Sequence, residues 1–342
     1  MMRAMNEHSS QEIPDSDDGR DARRAAACRW AAAMLTRSDL RFTVASADAS
    51  FRRYFRAHDP GGSASWIIMD APPEREDCRP FIDIARRLQR AGVNVPEVLA
   101  ADPEQGFLLL TDLGTQTFLD VLDAGNADAL FSAAMRQLVQ MQAFADTQGL
   151  PEYDVALLRR ELDLYPDWYL GKHRGAVLNA AERETWNRSC ALLIESALAQ
   201  PQVFVHRDYM PRNLMVSGPM PGVIDFQDAV RGPVCYDVAS LFRDAFVSWS
   251  AARVAKWLEE YRGLAADAGI LLPRDFERAF DWMGLQRHLK VIGIFARLHY
   301  RDRKEKYLAE TPRFFRYVYE VGAKYSEFDS LLELMRKYEA GA

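Results

Sequence analysis

The stretch His206-Arg-Asp-Tyr-Met-Pro-Arg-Asn213, followed by Ile224-Asp-Phe-Gln-Asp228, decides how the rest of the chain is read. Asp208 and Asn213 stand five residues apart, and Asp225 comes twelve residues after Asn213, behind an apolar pair, Val223-Ile224, suited to a short strand. Phosphoryl transfer needs these residue types close together. One carboxylate must accept the proton of an attacking hydroxyl, while an amide oxygen and a second carboxylate hold Mg²⁺ against phosphate oxygens. The pattern therefore assigns Asp208 as the catalytic base and Asn213 and Asp225 as metal ligands. Capping Asp and Asn side chains would account for an isolated His-Arg-Asp, but not for the full set at this spacing.

Outward from this loop the chain has two textures. On the N-terminal side, Leu40–Ala45, Phe51–Arg56, Trp66–Met69, Val98–Ala101 and Phe107–Thr111 are β-prone runs between polar turns, with a helix predicted over 80–91 and another over 21–35. From about Thr117 the apolar spacing becomes helical, over 117–123, 126–146, 154–171, 180–199, 235–248, 250–268, 273–298 and 311–338. The exception is the loop region itself, where 201–206 and 223–224 read as a hairpin of short strands. Residues 1–20 are polar and read as a disordered leader. The expected organisation is an N-terminal lobe over 21–113 and a C-terminal lobe over 114–342.

Composition narrows the function classes. The 342 residues are 49% hydrophobic and 27% charged, enough to bury a sizeable core without staples. Lys and Arg number 43 against 49 Asp and Glu, a net charge of −6, so no global basic field is available for nucleic acid. Cys28, Cys78, Cys190 and Cys235 show neither CxxC pairing nor zinc spacing. No run approaches the about 20 apolar residues of a membrane span. A cytoplasmic protein with reduced thiols is expected.

The His206–Asn213 loop matches the His-Arg-Asp-x₄-Asn pattern of kinases, and there the chain resembles the aminoglycoside phosphotransferase-like kinases, small-molecule relatives of protein kinases. The resemblance runs from about Phe42 to at least Asp237. It implies an α+β, bilobal protein-kinase-like fold: a small five-stranded antiparallel N-lobe and a large, mainly helical C-lobe, with ATP and Mg²⁺ as cofactors. Thr111, Asp112 and Leu113 look like the interlobe hinge whose backbone meets adenine, and Tyr236–Leu241 looks like the structural helix that follows the metal carboxylate. Further runs, including Asp48–Arg56, Met69–Pro73, Asp112–Gln116 and Arg287–Arg297, are similar to one branch of the family, the anomeric kinases of N-acetylmuramate and N-acetylglucosamine in bacterial cell-wall recycling. That similarity implies transfer of phosphate from ATP to the sugar O1, giving an α-1-phosphate. An antibiotic kinase on the same fold and a pseudokinase binding module are the alternatives.

Two expected parts are absent from the small lobe. Residues 46–50 contain no glycine where a phosphate loop should lie, and the third strand carries no lysine. Arg52, Arg53 and Arg56 are the nearest basic candidates, with Ser50 a further nucleotide-binding candidate, and strand alternation puts Arg52 and Arg56 on one face with Arg53 on the other. Asp83 falls where a lysine-pairing glutamate belongs. For the sugar, Arg212, Arg287 and His288 are candidate cations toward a lactyl carboxylate. Glu161, Trp168 and Tyr169 are candidate hydrogen-bonding and stacking groups, and Gln227 and Asp228 are further substrate-binding candidates.

Overall fold

A computed structural model describes residues 19–46 and 52–340. The chain is α+β. Strands β1 (Arg41–Ser46), β2 (Arg53–His58), β3 (Ser65–Asp70), β4 (Val98–Asp102) and β5 (Phe107–Thr111) form one five-stranded antiparallel sheet in the order β1-β2-β3-β5-β4. Helix α1 (Gly19–Met34) packs on it, and α2 (Arg79–Arg90) links β3 to β4. The alternation of β2 decides which face is buried. Phe55 and Ala57 join Ala27, Ala31, Ile68, Phe107 and Leu109 in a core under α1, and so turn Arg52, Tyr54 and Arg56 to the opposite face.

The remainder is mostly helical: α3 (Phe118–Val121), α4 (Ala127–Phe144), α5 (Val155–Leu162), α6 (Ala180–Leu198), α7 (Cys235–Phe242), α8 (Ala251–Asp267), α9 (Phe276–Tyr300), α10 (Thr311–Gly322) and α11 (Asp329–Ala340). Among the described residues, no helix is long and apolar enough to cross a membrane. The residues pack as two compact units: one of residues through Gln116 together with Met215–Gln227, the other of Thr117–Leu214 and Asp228 onward. The segment carrying Asp225 thus belongs with the sheet, and the segment carrying Asp208 with the helices.

Four predicted elements differ in detail, each for a local reason. The hairpin expected from 201–206 and 223–224 is two separate pairings. Strand β6 (Gln202–Val205) pairs with β9 (Val230–Pro233), and β7 (Leu214–Met215) pairs with β8 (Gly222–Val223). The helix predicted over 154–171 ends at Leu162 and resumes as a π-helical turn, Tyr165–His173, where Pro166 cannot donate the regular helical hydrogen bond. That over 235–248 stops at Phe242, because the Asp244 carboxylate accepts the N–H groups of Phe246 (2.6 Å) and Val247 (3.1 Å) and folds the chain into a turn. That over 311–338 breaks after Gly322, where Lys324 Nζ (3.0 Å) and Tyr325 OH (2.9 Å) both donate to Asp281.

Helix α9 runs through the middle of the helical unit, buried over nearly its whole length. It comes closest to a neighbour at Gly293, where an added Cβ would lie 2.3 Å from the Leu164 carbonyl carbon and 2.5 Å from its oxygen. Backbone does not yield as a side-chain tip would. Gly293→Ala is therefore expected to cost about 1–3 kcal/mol by overpacking, despite alanine's better helix propensity. Urea denaturation checks this; an unchanged midpoint would mean that the two segments can move apart freely.

Candidate active site

The loop after β6 is held from three sides. The Asp237 carboxylate, fully buried at the start of α7, accepts the backbone N–H of His206 (2.7 Å) and of Arg207 (3.0 Å). Burial pushes the Asp237 carboxyl up to about 7, against these two N–H donors. Tyr209, also buried, donates its hydroxyl to the Ala134 carbonyl on α4 at 2.8 Å. Arg207 takes a left-handed backbone conformation, φ 77°, which a side-chain-bearing residue adopts at some cost. Its guanidinium offsets that cost by donating to Glu161 on α5 at 2.5 Å, while the ring of Tyr153 lies beneath it.

Between these anchors Asp208 is half-buried, and its backbone N–H meets His206 Nδ1 at 3.2 Å. The short 3₁₀ turn Pro211–Asn213 brings the Asn213 amide back, so that Nδ2 donates to the Asp208 carbonyl at 2.9 Å. With its nitrogen so placed, Asn213 offers its amide oxygen as a ligand atom. The structure thus brings Asp208 and Asn213 together by a direct hydrogen bond.

Asp225 follows β8 with φ 65° and a carboxylate 48% exposed. Oδ1 accepts from Gln227 Nε2 at 3.0 Å and lies 3.8 Å from Arg52 Nη2. The next residue, Phe226, is buried against Phe81 of α2, ring centroids 4.8 Å apart, which fixes the turn from below. Asp225, Gln227 and Arg52 therefore form one group within the sheet-bearing unit.

The nucleotide candidates separate. Ser50 lies outside the described residues, as does most of the 46–50 loop. Arg53 donates to the buried Asp70 through Nε (2.9 Å) and Nη2, and Arg23 binds the other oxygen of that carboxylate at 2.7 Å. Arg56 donates to Asp112 (2.6 and 3.1 Å) and to the Gly114 carbonyl (2.7 Å). Asp112 also accepts from Ser65 Oγ (2.7 Å). Burial opposes the Asp112 charge, yet Arg56, Ser65 and the Gly114 N–H hold its carboxyl below the ordinary range. Thr111 exchanges bonds with Glu97, N–H to carbonyl at 3.0 Å and Glu97 N–H to Oγ1 at 2.9 Å. Residues 111–113 are thus braced by the side chains of Arg56, Ser65 and Thr111, and the Leu113 side chain is close-packed on Gly222. Asp83 pairs on its own helix with Arg87, at 2.8 Å.

The sugar candidates occupy different settings. Arg212 is half-buried, its guanidinium over the Phe246 ring at 5.3 Å. Asp228 is exposed, and its carbonyl accepts from Arg207 at 3.5 Å. Glu161 is buried at the centre of a charged network: it accepts from Tyr153 OH, Arg207, Lys290 (2.8 Å) and Gln286 (3.4 Å). Arg287, 2% exposed, donates to the Arg243 carbonyl (3.3 Å). His288 contacts that same carbonyl at 3.4 Å and stacks on Tyr317, centroids 4.8 Å apart. Burial, with Arg243 and Arg287 adding to it, holds the His288 imidazole well below its ordinary range, so it is neutral. Tyr169 stacks on Tyr165 within an aromatic cluster, and Trp168 is half-buried.

The model of a phosphotransferase enzyme family matches residues 41–274, which includes every element just described from β1 to the end of α8. The chain belongs to this phosphotransferase family. Among similar curated proteins is the N-acetylmuramate/N-acetylglucosamine kinase of Pseudomonas putida, 56% identical over 303 residues, covering 88% of this chain and 89% of that one. The protein of the same name from Pseudomonas aeruginosa is 57% identical over 301 residues, covering 87% and 88%. That from Neisseria meningitidis is 43% identical over 313 residues, covering 90% and 93%. Among solved structures, the ADP-bound aminoglycoside phosphotransferase APH(2'')-Ib shares the fold with a TM-score of 0.60 at 14% identity, covering 87% of this chain and 98% of that one. A choline/ethanolamine kinase family protein from Mesorhizobium loti gives 0.64 at 16%, covering 92% and 99%.

The donor types here suit a phosphate-bound cation. Among the described residues, no cluster of three His, Cys, Asp or Glu side chains forms a protein-only cage. A hard cation such as Mg²⁺ keeps several sites for water and phosphate and needs only one or two protein oxygens. The Asn213 amide oxygen and the Asp225 carboxylate are of that kind.

Three residues that hold candidate side chains were not singled out from sequence: Glu76, 3.0 Å from Arg52 Nε, and Tyr153 and Lys290, both on Glu161. Glu76 sits in a plain polar turn and gives no signal. Lys290 gives one, since it is the lone cation within the apolar run Leu289-Lys-Val-Ile292. A charge in the buried stripe of a helix normally has a buried partner.

Proposed function

We propose that the chain is an ATP-dependent sugar kinase, transferring the γ-phosphoryl group to the anomeric hydroxyl of N-acetylmuramate and N-acetylglucosamine. The choice of acceptor rests on one observation: the relatives that share more than half of its residues over nearly nine-tenths of its length carry that name. An α-1-phosphate would be the product.

Asp208 supplies the base. The anomeric hydroxyl is the most acidic on the ring, and its proton passes to the Asp208 carboxylate as the oxygen attacks phosphorus in line. The Asp237 and Tyr209 anchors hold the backbone that carries that carboxylate, so little reorganisation of the loop is needed at the moment of transfer. Asn213 and Asp225 would hold Mg²⁺, which when bound neutralises charge developing on the phosphate oxygens. The Thr111–Leu113 backbone is the proposed adenine contact, and Asp112, locked onto Arg56 and Ser65, keeps that backbone in register. Arg212, Gln227 and Asp228 remain the proposed sugar contacts. Arg287 and His288, buried on the Arg243 carbonyl, suit a supporting role rather than direct sugar contact.

Two measurements test the reading. With ATP and a panel of amino sugars, a coupled ADP-release assay is expected to show turnover with N-acetylmuramate and N-acetylglucosamine and little with aminoglycosides. Turnover confined to aminoglycosides would overturn the acceptor, and silence with every acceptor despite ATP binding would favour a binding module. Asp225→Ala is expected to weaken Mg–ATP binding by about 10- to 100-fold, the worth of a charged ligand, while adenosine binding stays unchanged in calorimetric titration. Equal losses for both ligands would remove Asp225 from the metal site.

A further inference from the structure

The nucleotide's phosphates need a cation that the third strand does not provide, since β3 reads Ser65-Trp-Ile-Ile-Met-Asp70. Three arginines lie on or beside β2. Arg53 is engaged by the buried Asp70, and Arg56 by Asp112 and the Gly114 carbonyl, both through several bonds to groups that frame the sheet. Arg52 is differently placed. Its side chain is 8% exposed and points to the face away from α1. Nε lies 3.0 Å from Glu76 Oε1, and Nη2 lies 3.8 Å from Asp225 Oδ1.

These two contacts, which stand beside a further one with Tyr54, differ in kind. The Glu76 contact is within hydrogen-bonding range, whereas the Asp225 separation exceeds it. Glu76 is carried by a tight turn, in which the N–H groups of Arg75 and Glu76 both donate to the Pro72 carbonyl at 2.8 and 3.0 Å. One edge of the guanidinium is thus anchored, and the other faces the carboxylate proposed to hold the metal. A guanidinium is a planar fork that stays charged and can bind two anionic groups at once.

We propose that Arg52 is the phosphate-binding cation of this chain and that Glu76 is its positioning residue. The cation has moved from the third strand to the edge of the second, and its acidic partner from the helix to the turn before it. Asp83, in the helix, is occupied by Arg87 instead. This assignment rests on the kinase reading above and deepens it. Arg52 touches the phosphates, while Glu76 acts only through Arg52.

Calorimetric titration of the full chain with Mg–ATP and with adenosine separates the roles. Arg52→Met is expected to weaken Mg–ATP binding by about 10- to 100-fold, as for loss of a charged hydrogen bond, and to leave adenosine, which has no phosphates, within about twofold. Glu76→Gln is expected to weaken Mg–ATP by about three- to tenfold, and to add nothing in the Arg52→Met background, because its effect passes through that guanidinium. Equal losses of adenosine and Mg–ATP in Arg52→Met would overturn the assignment in favour of a framework role. A Glu76→Gln loss that persists without Arg52 would overturn the positioning role. If the unsubstituted chain binds adenosine but not Mg–ATP, the kinase reading itself fails and takes the assignment with it.

Discussion

Asp208→Asn is expected to abolish turnover while sparing nucleotide binding. The substitution keeps the shape of the side chain and its place after the left-handed Arg207, but removes the proton acceptor. General-base catalysis contributes about 10²- to 10⁴-fold, so kcat should fall by that order, with Mg–ATP affinity within about twofold of the original. The backbone anchors are untouched, because Asp237 accepts from the N–H groups of His206 and Arg207, and Asn213 donates to the carbonyl of residue 208. Thermal unfolding should therefore be unchanged, which separates lost chemistry from lost structure. An Asp208→Asn protein that turns over normally would sink the assignment of the base.

The second large effect concerns the charged network under the loop. Lys290→Met is expected to destabilise the fold by about 1.5–3 kcal/mol, the worth of a charged hydrogen bond in a buried network. Glu161 then keeps Arg207 as its remaining cation; Lys290 also donates to Tyr236 OH at 2.9 Å. Urea unfolding measures this, and a loss under about 1 kcal/mol would show the network to be water-accessible. Glu161→Leu combined with Lys290→Met should lose more stability still, since it also leaves the Arg207 guanidinium without its carboxylate. It should lower kcat as well, because Arg207 has lost its anchor. That added loss of rate distinguishes support of the loop from plain core packing.

The same network sets a pH dependence. Burial alone would raise the Glu161 carboxyl; Lys290 and Arg207 more than reverse this and bring it down to about 2 from an ordinary 4.5. The carboxylate is thus bound more tightly to its charge in the folded chain than in the unfolded one. Its stabilisation is fully present above pH 4.5 and is lost as the pH falls toward 2, on the order of 3 kcal/mol in all. The stability difference between the unsubstituted chain and Glu161→Gln should shrink across that window. A difference independent of pH would mean that charge is not what Glu161 contributes.

What the sequence makes legible here is what is local in the chain. The alternation along β2 separates Arg53, Phe55 and Ala57 from Arg52 and Arg56 because strand geometry leaves no other choice. Asp208 and Asn213 are readable because one short turn links them. Val230-Arg-Gly-Pro233 is not readable as a strand, being four residues with Gly and Pro at its end, and it is held only by pairing with β6. The break after Gly322 depends on Asp281, some forty residues away, and so leaves no mark in the local pattern. Glu76 and Lys290 belong to the site through partners 24 and 129 residues distant in the chain, a relation that periodicity does not carry. Arg287 and His288 read as cations for a substrate carboxylate, but α9 is buried on nearly all sides.

The return of Met215–Gln227 to the sheet-bearing unit constrains how this enzyme can be taken apart or rearranged. A cut at residue 116 would separate Phe81 from Phe226, and Asn94 from the Ser217 and Met220 carbonyls that its amide approaches at 3.5 and 3.3 Å. The leading fragment would have the sheet but no Asp225, and the trailing fragment would carry that aspartate without the sheet-bearing unit it packs in. Neither half is a module that could be exchanged between genes or reassembled by simple fusion. In inheritance as in folding, the residues through Gln116 and the segment Met215–Gln227 must travel together.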